Sequence, residues 1–313
     1  MRVIFFGTSA FAVPSLTRIA ASGHQLVMCV TQPDQPQGRG LRLEPSPVKR
    51  AAQALGVPIA QPQRLSAEPF AALDPEVGVL AAYGQLIRRD ALDLPRHGIL
   101  GVHPSLLPKY RGAAPVAWAL LNGDTKTGVT IFRLNERLDT GQILLQEPAD
   151  IEPREDAGAL TDRMAQRGAT MLLQALEQLA SGAASFHEQD ESQASYAPKL
   201  TKTQGTIDWR APAEAIGRLI RATQPWPGAS TTWQGEGLKL VRTGAMRADR
   251  QDSPISGTVV QVTPEAIWIA TGSGTLEILE VQPAGRRRMS VKEFLAGHVV
   301  RAGERFGTGA MHA

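Results

Sequence analysis

The sequence is poor in cysteine and has no long apolar run. Its 313 residues include one cysteine, Cys29, in the stretch QLVMCV, so no disulfide can form within the chain. A lone thiol predicts a reducing compartment and no redox chemistry. No run approaches the roughly 20 apolar residues that cross a bilayer. The apolar stretch MRVIFF at residues 1–6 is too short for a signal peptide. We therefore expect a cytoplasmic protein with no membrane partner.

The motifs that usually mark nucleotide, zinc and hydrolase sites are also missing. The sequence contains no GxxxxGK[ST], no HExxH, no Cys/His cluster and no GxSxG. One glycine follows the first apolar run, in Gly7-Thr8-Ser9, but it does not complete the GxGxxG turn that cradles a pyrophosphate. These absences predict a substrate cleft without a phosphate cradle and without a metal ion.

The composition is that of an ordinary globular protein, with 42% hydrophobic and 20% charged residues. A chain of 313 residues is long for one core, which favours two domains. From residue 201 onward, 14 Lys and Arg face 10 Asp and Glu; since the whole chain carries +3, the first 200 residues carry −1. The second part is the better candidate for binding a polyanion, although so small a surplus is more often just a solvated surface.

Short apolar runs alternate with helical patterns in the first half of the chain. The runs are RVIFF (2–6), QLVMCVT (25–31), VGVLAAY (77–83) and ILGV (99–102). Residues 15–23 and 46–56 predict helices, the second capped by Ser46, with Pro47 in its first turn and Gly56 after its end. This alternation predicts an α/β fold with a mainly parallel sheet, whose ligands bind beyond the carboxyl ends of the strands.

Two further strands, 127–134 and 142–146, come before a long amphipathic helix predicted over 159–182. Apolar residues at helical spacing mark the face of this helix that should be buried. They are Leu160, Met164, Met171, Ala175, Leu176 and Leu179.

A change of pattern follows the polar stretch 183–205. After one helix near 212–223, short strands separated by Gly, Pro and Asp are typical of a small β-barrel. We therefore expect two domains, 1–205 and 206–313.

One histidine and one carboxylate are candidates for chemistry. His103 follows an apolar run, where an α/β sheet binds its ligands, and Asp139 lies in the turn LDTG before the strand 142–146. Taken alone, each residue has a simpler interpretation, a histidine on a loop and an aspartate that stabilises its own turn.

Together with longer stretches, these two segments resemble a known family. The stretches are MRVIFFGTSAFAVPSL, TQPDQPQGRG, PSPVK, AAYG, VHPSLLPKYRGAAPV, TGVTIFRLNERLDTG, YAPKL, IDW, PWP and QPAGRRRMS, in that order and up to about Ser290. The chain resembles the methionyl-tRNA formyltransferases. SLLPKYRGAAP with LDTG is typical of folate-dependent formyl transferases, and PDQPQGRG with the PWP-containing second domain narrows the resemblance to the tRNA member.

The resemblance implies a Rossmann-like N-terminal formyltransferase domain, with its mainly parallel sheet, and a small OB-like C-terminal β-barrel that binds tRNA. It also implies transfer of a formyl group from 10-formyltetrahydrofolate to the α-amino group of methionine on initiator tRNA. The products are N-formylmethionyl-tRNA, which serves translation initiation, and tetrahydrofolate. We expect no cofactor besides this folate, and we expect the chain to be a monomer.

The resemblance assigns roles to the candidate residues. His103 would donate to the oxyanion and carry a proton. Asp139 would raise the basicity of His103 and help to order the water or accept the proton of the amine. The turn Ser105, Leu106, Leu107 and Pro108 resembles the segment that holds the pterin end of the folate.

Gly101 departs from the family's pattern, which is Asn-x-His. The asparagine amide is a second oxyanion donor, and losing one such donor typically costs roughly 10²- to 10³-fold in turnover. A water, a backbone N–H, Asn122 or Asn135 could occupy the gap. If the position is empty, Gly101→Asn should raise turnover.

The tRNA would be read by the segment 33–49, which carries Arg39, Arg42 and Lys49. By resemblance this loop enters the acceptor end of initiator tRNA, where a weak first base pair opens cheaply. In the second domain, candidate phosphate contacts are Lys239, Arg242 and the triplet 286–288.

Two alternatives stay open at this point. One is another folate-dependent formyl transferase, acting on a nucleotide or an amino sugar, or a formyl-folate hydrolase. The other is a catalytically impaired homologue that binds folate or tRNA, because Gly101 replaces the asparagine.

Overall fold

The protein is described by a computed structural model that covers residues 1–37, 42–248 and 255–307. The strands are β1 (Arg2–Gly7), β2 (Gln25–Val30), β3 (Gln35–Gln37), β4 (Arg42–Glu44), β5 (Ile59–Ala60), β6 (Val77–Ala81), β7 (Ile99–His103), β8 (Lys126–Arg133), β9 (Ile143–Asp150), β10 (Ala229–Trp233), β11 (Glu236–Arg247), β12 (Val259–Val262), β13 (Ile267–Ala270), β14 (Thr275–Pro283) and β15 (Met289–Ser290). The α-helices are α1 (Val13–Ala20), α2 (Pro47–Ala54), α3 (Arg89–Leu92), α4 (Pro115–Asn122), α5 (Ala157–Ser181), α6 (Ala213–Ala222) and α7 (Val291–Leu295).

Contacts within the chain divide it into two compact units. The first consists of Met1–Pro115, Lys126–Ile151 and Leu160–Pro198. The second consists of Val116–Thr125, Glu152–Ala159 and Lys199–Ala313.

A seven-stranded sheet in the order β5-β2-β1-β6-β7-β8-β9 forms the first unit. The five strands β5, β2, β1, β6 and β7 pair in parallel, and β8 and β9 are added antiparallel at one edge. The predicted α/β fold with a mainly parallel sheet is confirmed. The antiparallel edge matters for the site, because it places β8 directly beside β7, the strand that ends in His103.

Two helices of this unit follow their sequence signals closely. The Ser46 hydroxyl accepts a hydrogen bond from the Lys49 N–H at 3.0 Å, which caps α2 as predicted. The predicted face of α5 is buried at all six positions, with exposures between 0% and 6%. The helix approaches β7 so closely at Gly168 that an added Cβ would lie 2.6 Å from Cγ1 of Val102.

Because α5 covers one face of β7, an active site at this strand can lie only on the opposite face. Successive side chains of a strand point to opposite faces of the sheet. Since Val102 lies against α5, its neighbours Gly101 and His103 point to the other face.

The second unit contains a five-stranded antiparallel sheet in the order β10-β11-β14-β13-β12, with β15 paired to β14. Its core includes Trp209, Trp233, Phe294 and Phe306. The segment 305–306 bridges both edges of the sheet: Phe306 pairs with Trp233 at the end of β10, and Arg305 pairs with Thr258 next to β12. The predicted set of short antiparallel strands is confirmed, while closure of this sheet into a barrel stays a prediction.

Two findings bear on the opening expectations from the sequence. Among the described residues, no helix is long and apolar enough to cross a membrane. Cys29 is buried in β2, and burial raises the pKa of its thiol to about 12, which keeps the sulfur protonated at neutral pH.

Candidate active site

His103 ends β7 and is 6% exposed. Its Nε2 lies 2.9 Å from the backbone carbonyl oxygen of Tyr110. Because a carbonyl only accepts hydrogen bonds, Nε2 must carry the proton of the neutral ring. The second nitrogen, Nδ1, lies 3.7 Å from Oδ2 of Asp139. The structure therefore brings the predicted pair together and leaves Nδ1 as the atom that can gain or lose a proton.

Asp139 lies in the loop between β8 and β9 with φ +52°, a left-handed conformation that aspartate tolerates better than most residues. Its Oδ2 accepts a hydrogen bond of 2.8 Å from the backbone N–H of Gly112, 27 residues away. A turn-stabilising aspartate would bond to its own turn, whereas this bond joins two separate loops. The carboxylate is thereby held towards His103.

Gln189 holds the backbone of the same loop. Its Nε2 donates to the carbonyl oxygens of Asp139 and Gly141, at 2.8 Å each. Its Oε1 accepts from Nη2 and Nε of Arg111, at 2.6 and 3.1 Å. Gln189 therefore links the Asp139 loop to a buried cation.

Arg111 completes this network from the loop that follows β7. Its side chain is 1% exposed, and it donates twice to the Glu191 carboxylate at 2.9 Å. The hydrogen-bonded pair raises the pKa of the Arg111 guanidinium and lowers the pKa of the Glu191 carboxyl. A charge so buried is stabilised only by such partners, so the network fixes the loops on both sides of the catalytic candidates.

The predicted folate turn is shaped by bonds to the neighbouring strands. The Thr130 hydroxyl donates to the Ser105 carbonyl at 2.7 Å and accepts from the Leu107 N–H at 3.1 Å. Gln146 Nε2 donates to the Leu107 carbonyl and to Thr130 Oγ1, at 2.9 Å each. Side chains of β8 and β9 therefore hold the turn beside His103.

Within this turn, the side chains differ in what they offer to a ligand. The Ser105 hydroxyl donates to the Lys109 carbonyl at 2.6 Å, so it is engaged in the turn itself. Ser105, Leu107 and Pro108 are buried, and Leu106 is half-buried. Ser105, Leu107 and Pro108 therefore shape the turn more than they line an open surface.

Gly101 does not face an open space. A Cβ added at Gly101 would lie 2.5 Å from Cε1 and 2.8 Å from Cζ of Phe132, and 2.7 Å from Cδ1 of Leu134. Asn135 does not reach in, because its Oδ1 accepts from the Arg137 N–H and the Thr140 hydroxyl within its own loop. Apolar side chains fill the space into which a side chain at position 101 would project.

The three residues predicted to bind tRNA are described unequally. Arg39 lies outside the described residues, and Arg42 begins β4. Lys49 lies in the first turn of α2, and its Nζ donates to Oδ2 of Asp34 at 2.6 Å. This bond, together with one from Gln61, lowers the pKa of the Asp34 carboxyl.

Several basic side chains of the second unit have acidic partners. Arg242 and Arg288 both bond to Glu280, the first at 2.7 Å, and Arg287 bonds to Glu293 at 2.7 Å. These ion pairs reduce the charge that a polyanion would meet.

Sequence reasoning singled out neither Gln189 nor Arg111, and gave no role to Thr130 or Gln146. Arg111 and Thr130 lie inside stretches quoted for their resemblance, so those stretches carried a signal. Gln189 lies in the polar stretch 183–205 and Gln146 at the end of the predicted strand 142–146, and nothing in either pattern indicates their contacts.

The chain resembles known formyl transferases along nearly its whole length. Residues 1–176 match the family model described as formyl transferase, and residues 199–299 match the model of the formyl transferase C-terminal domain. The chain is 46% identical over 302 residues to a methionyl-tRNA formyltransferase of Chloroflexus aurantiacus, covering 95% of this chain and 97% of the relative. It is 47% identical over 311 residues to that of Thermus thermophilus, covering 98% and 99%. This chain belongs to the methionyl-tRNA formyltransferase family.

Solved structures show the same fold at low identity. A methionyl-tRNA formyltransferase from Clostridium thermocellum superposes with a TM-score of 0.55 at 15% identity, covering 78% of this chain and 93% of that one. WlaRD, a sugar 3N-formyl transferase, gives 0.67 at 17% identity, covering 92% and 99%. HypX from Aquifex aeolicus in complex with tetrahydrofolic acid gives 0.63 at 17% identity over 97% of this chain, which spans about half of HypX.

Within 1–37, 42–248 and 255–307, no three or more His, Cys, Asp or Glu side chains are grouped to hold an ion.

Proposed function

We propose that this chain transfers the formyl group of 10-formyltetrahydrofolate to the α-amino group of methionyl initiator tRNA. The products are N-formylmethionyl-tRNA, for translation initiation, and tetrahydrofolate. One observation carries the proposal: His103 Nδ1 faces Asp139 Oδ2 at 3.7 Å, in a chain nearly half identical to methionyl-tRNA formyltransferases over almost its whole length.

The bound folate would supply a formyl carbon attached to a nitrogen that departs as an amine. His103 Nδ1 accepts the proton that the attacking α-amino group loses, since Nε2 is held by the Tyr110 carbonyl. The imidazolium then faces the Asp139 carboxylate, which stabilises its charge. From the same atom, His103 donates to the developing oxyanion or returns the proton to the departing nitrogen.

The donor would lie against the turn Ser105–Pro108. Thr130 and Gln146 fix the backbone of this turn, and half-buried Leu106 presents an apolar surface. A turn held in one shape loses little entropy when a rigid ring system binds to it. The residues present therefore fit the pterin end of a folate.

We propose further that residues 1–205 form the catalytic domain and 206–313 the tRNA-binding domain. Contacts to tRNA phosphates would come from Arg39, Arg42 and Lys49 in the first domain and from basic side chains in the second. We also propose that the chain acts as a monomer in the cytoplasm, where initiator tRNA is used.

The direct test is a formylation assay with the purified chain and 10-formyltetrahydrofolate. Methionyl initiator tRNA, methionyl elongator tRNA and methioninamide are offered as acceptors at equal concentration. Formylation of initiator tRNA well above the other two is expected. Preference for a small amine or an amino sugar, or hydrolysis of the folate without transfer, would contradict the proposal.

Replacing Gln189 with leucine is expected to lower kcat about 10-fold or more, because misplacing a catalytic group costs up to about 10²-fold in rate. The leucine removes both bonds to the Asp139 loop, whereas the KM values of both substrates should change little. Gln193→Leu is the matched control, since this nearby glutamine is exposed. Gln189 would have a purely structural role if the kcat of Gln189→Leu fell only where its thermal stability is lost, or fell no further than the kcat of Gln193→Leu.

Replacing Lys49 with alanine is expected to raise the KM for methionyl-tRNA about 5-fold and to reduce its salt dependence, as loss of one phosphate contact does. Asp34→Asn separates this role from an anchoring role. If Lys49 contacts phosphate, freeing it from Asp34 leaves tRNA binding intact or improves it. Equal losses in both variants would instead show that the ion pair orders the loop.

A further inference from the structure

Gly101 and Phe132 lie directly opposite each other on paired strands. β7 and β8 are antiparallel, with Gly101 opposite Phe132 and His103 opposite Thr130. Opposed residues of an antiparallel pair project to the same face of the sheet. Gly101, His103 and Phe132 therefore share the face that carries the candidate active site.

The ring of Phe132 lies over the glycine. It comes within 2.5 Å of the position that a Cβ at Gly101 would take, a separation that real Cβ atoms essentially never show to a non-bonded atom. Phe132 is itself 4% exposed, and Cδ1 of Leu134 would lie 2.7 Å from the same Cβ position. The ring can occupy this position only because position 101 lacks a side chain.

The same ring contacts the catalytic imidazole. The centroids of His103 and Phe132 are 6.4 Å apart with the planes at 87°, an edge-to-face arrangement that aromatic rings favour. His103 is thus restrained by three groups: the Tyr110 carbonyl at Nε2, the Asp139 carboxylate facing Nδ1, and the Phe132 ring.

We propose that Phe132 is a positioning residue for His103 and that Gly101 is its necessary partner. The pair replaces a polar side chain at position 101 with an apolar wall that orients the imidazole and keeps water from that side. This inference rests on the proposed function for its kinetic consequence, whereas the coupling of the two residues is a property of the fold alone.

Two consequences follow for single variants. Gly101→Asn is expected to lower turnover about 10-fold and to lower Tm, because the new side chain meets the Phe132 ring. This result is the opposite of the gain in turnover expected if position 101 faced an empty site. Phe132→Leu is expected to lower kcat by a similar factor, with both KM values unchanged, because the imidazole loses its restraint. Phe132→Met, which keeps most of the volume, is expected to retain most of kcat.

The test is a double-mutant cycle on Gly101→Ala and Phe132→Leu, read both as kcat and as Tm. The Tm of the double variant should fall by less than the sum of the two single Tm losses, since leucine leaves room for the added methyl group. Phe70→Leu, another buried phenylalanine of the same unit, is the control: it should lower Tm without lowering kcat at 25 °C.

Additive Tm losses, or Gly101→Asn with wild-type Tm and kcat, would overturn the pairing. An effect of Phe132→Leu on kcat no larger than that of Phe70→Leu would overturn the positioning role. If the wild-type chain formylates no tRNA, the proposed function fails, yet the Tm cycle still measures the pair.

Discussion

Replacing His103 with alanine is expected to lower kcat for formylation about 10³-fold while the affinity for methionyl-tRNA changes less than about twofold. General acid–base groups contribute typically 10²- to 10⁴-fold, and in the proposed reaction His103 accepts the proton of the attacking amine. The residue is nearly enclosed, so it offers little surface to a macromolecule. Rapid-quench kinetics and filter binding measure the two effects separately.

His187→Ala is the matched control for this variant, because His187 lies in the same unit and its ring is exposed. Its backbone rather than its side chain pairs with Ile143. The control should retain wild-type kcat. Comparable losses in both variants, or loss of tRNA binding in His103→Ala, would remove His103 from the chemistry.

Replacing Asp139 with asparagine is expected to lower kcat about 10²-fold. The amide oxygen can still accept the Gly112 N–H, so the loop should keep its shape while the charge facing Nδ1 is lost. Without that charge the imidazolium formed during the reaction is less stable. Steady-state kcat with near-constant KM values, together with an unchanged Tm, would show the expected separation.

Asp150→Asn controls for the loss of a carboxylate as such. Asp150 forms an exposed pair with Lys126 at 3.9 Å, and pairs of this kind contribute little. Asp139→Ala removes the Gly112 bond as well, so it should lower kcat further and lower Tm. If Asp139→Asn keeps kcat within about threefold of wild type, the carboxylate only shapes its loop.

The sequence indicated the parts of the fold that depend on local chemistry. The apolar runs became β1, β2, β6 and β7, and Ser46 caps α2 because a short hydroxyl side chain can accept a helical N–H three residues on. The six apolar residues of α5 are buried because their spacing places them on one face. Such signals lie within a few residues of each other.

The contacts that finish the site join distant residues, and composition does not reveal them. Gln189 is 50 residues from Asp139, in a polar stretch whose general character suggested only a connection. Likewise, the burial of Arg111 depends on Glu191, 80 residues away. A single sequence states which residues are polar but not which of them meet.

Position 101 shows the same limit in a sharper form. The missing asparagine could be read from the sequence, but its consequence depended on strand register and on the direction of one ring. The pairing of Gly101 with Phe132 places an apolar side chain at a position for which the sequence left only polar groups or an empty site open. The residue type at position 101 therefore indicated little about the site until the residue opposite it on β8 was known.

The role of His103 in formyl transfer is tested most directly by single-turnover transfer of a labelled formyl group from 10-formyltetrahydrofolate to methionyl initiator tRNA, with enzyme in excess. Wild-type protein should convert the bound tRNA, and His103→Ala should bind the same tRNA but form product about 10³-fold more slowly. No product from the wild type, or equal rates for the two proteins, would contradict it.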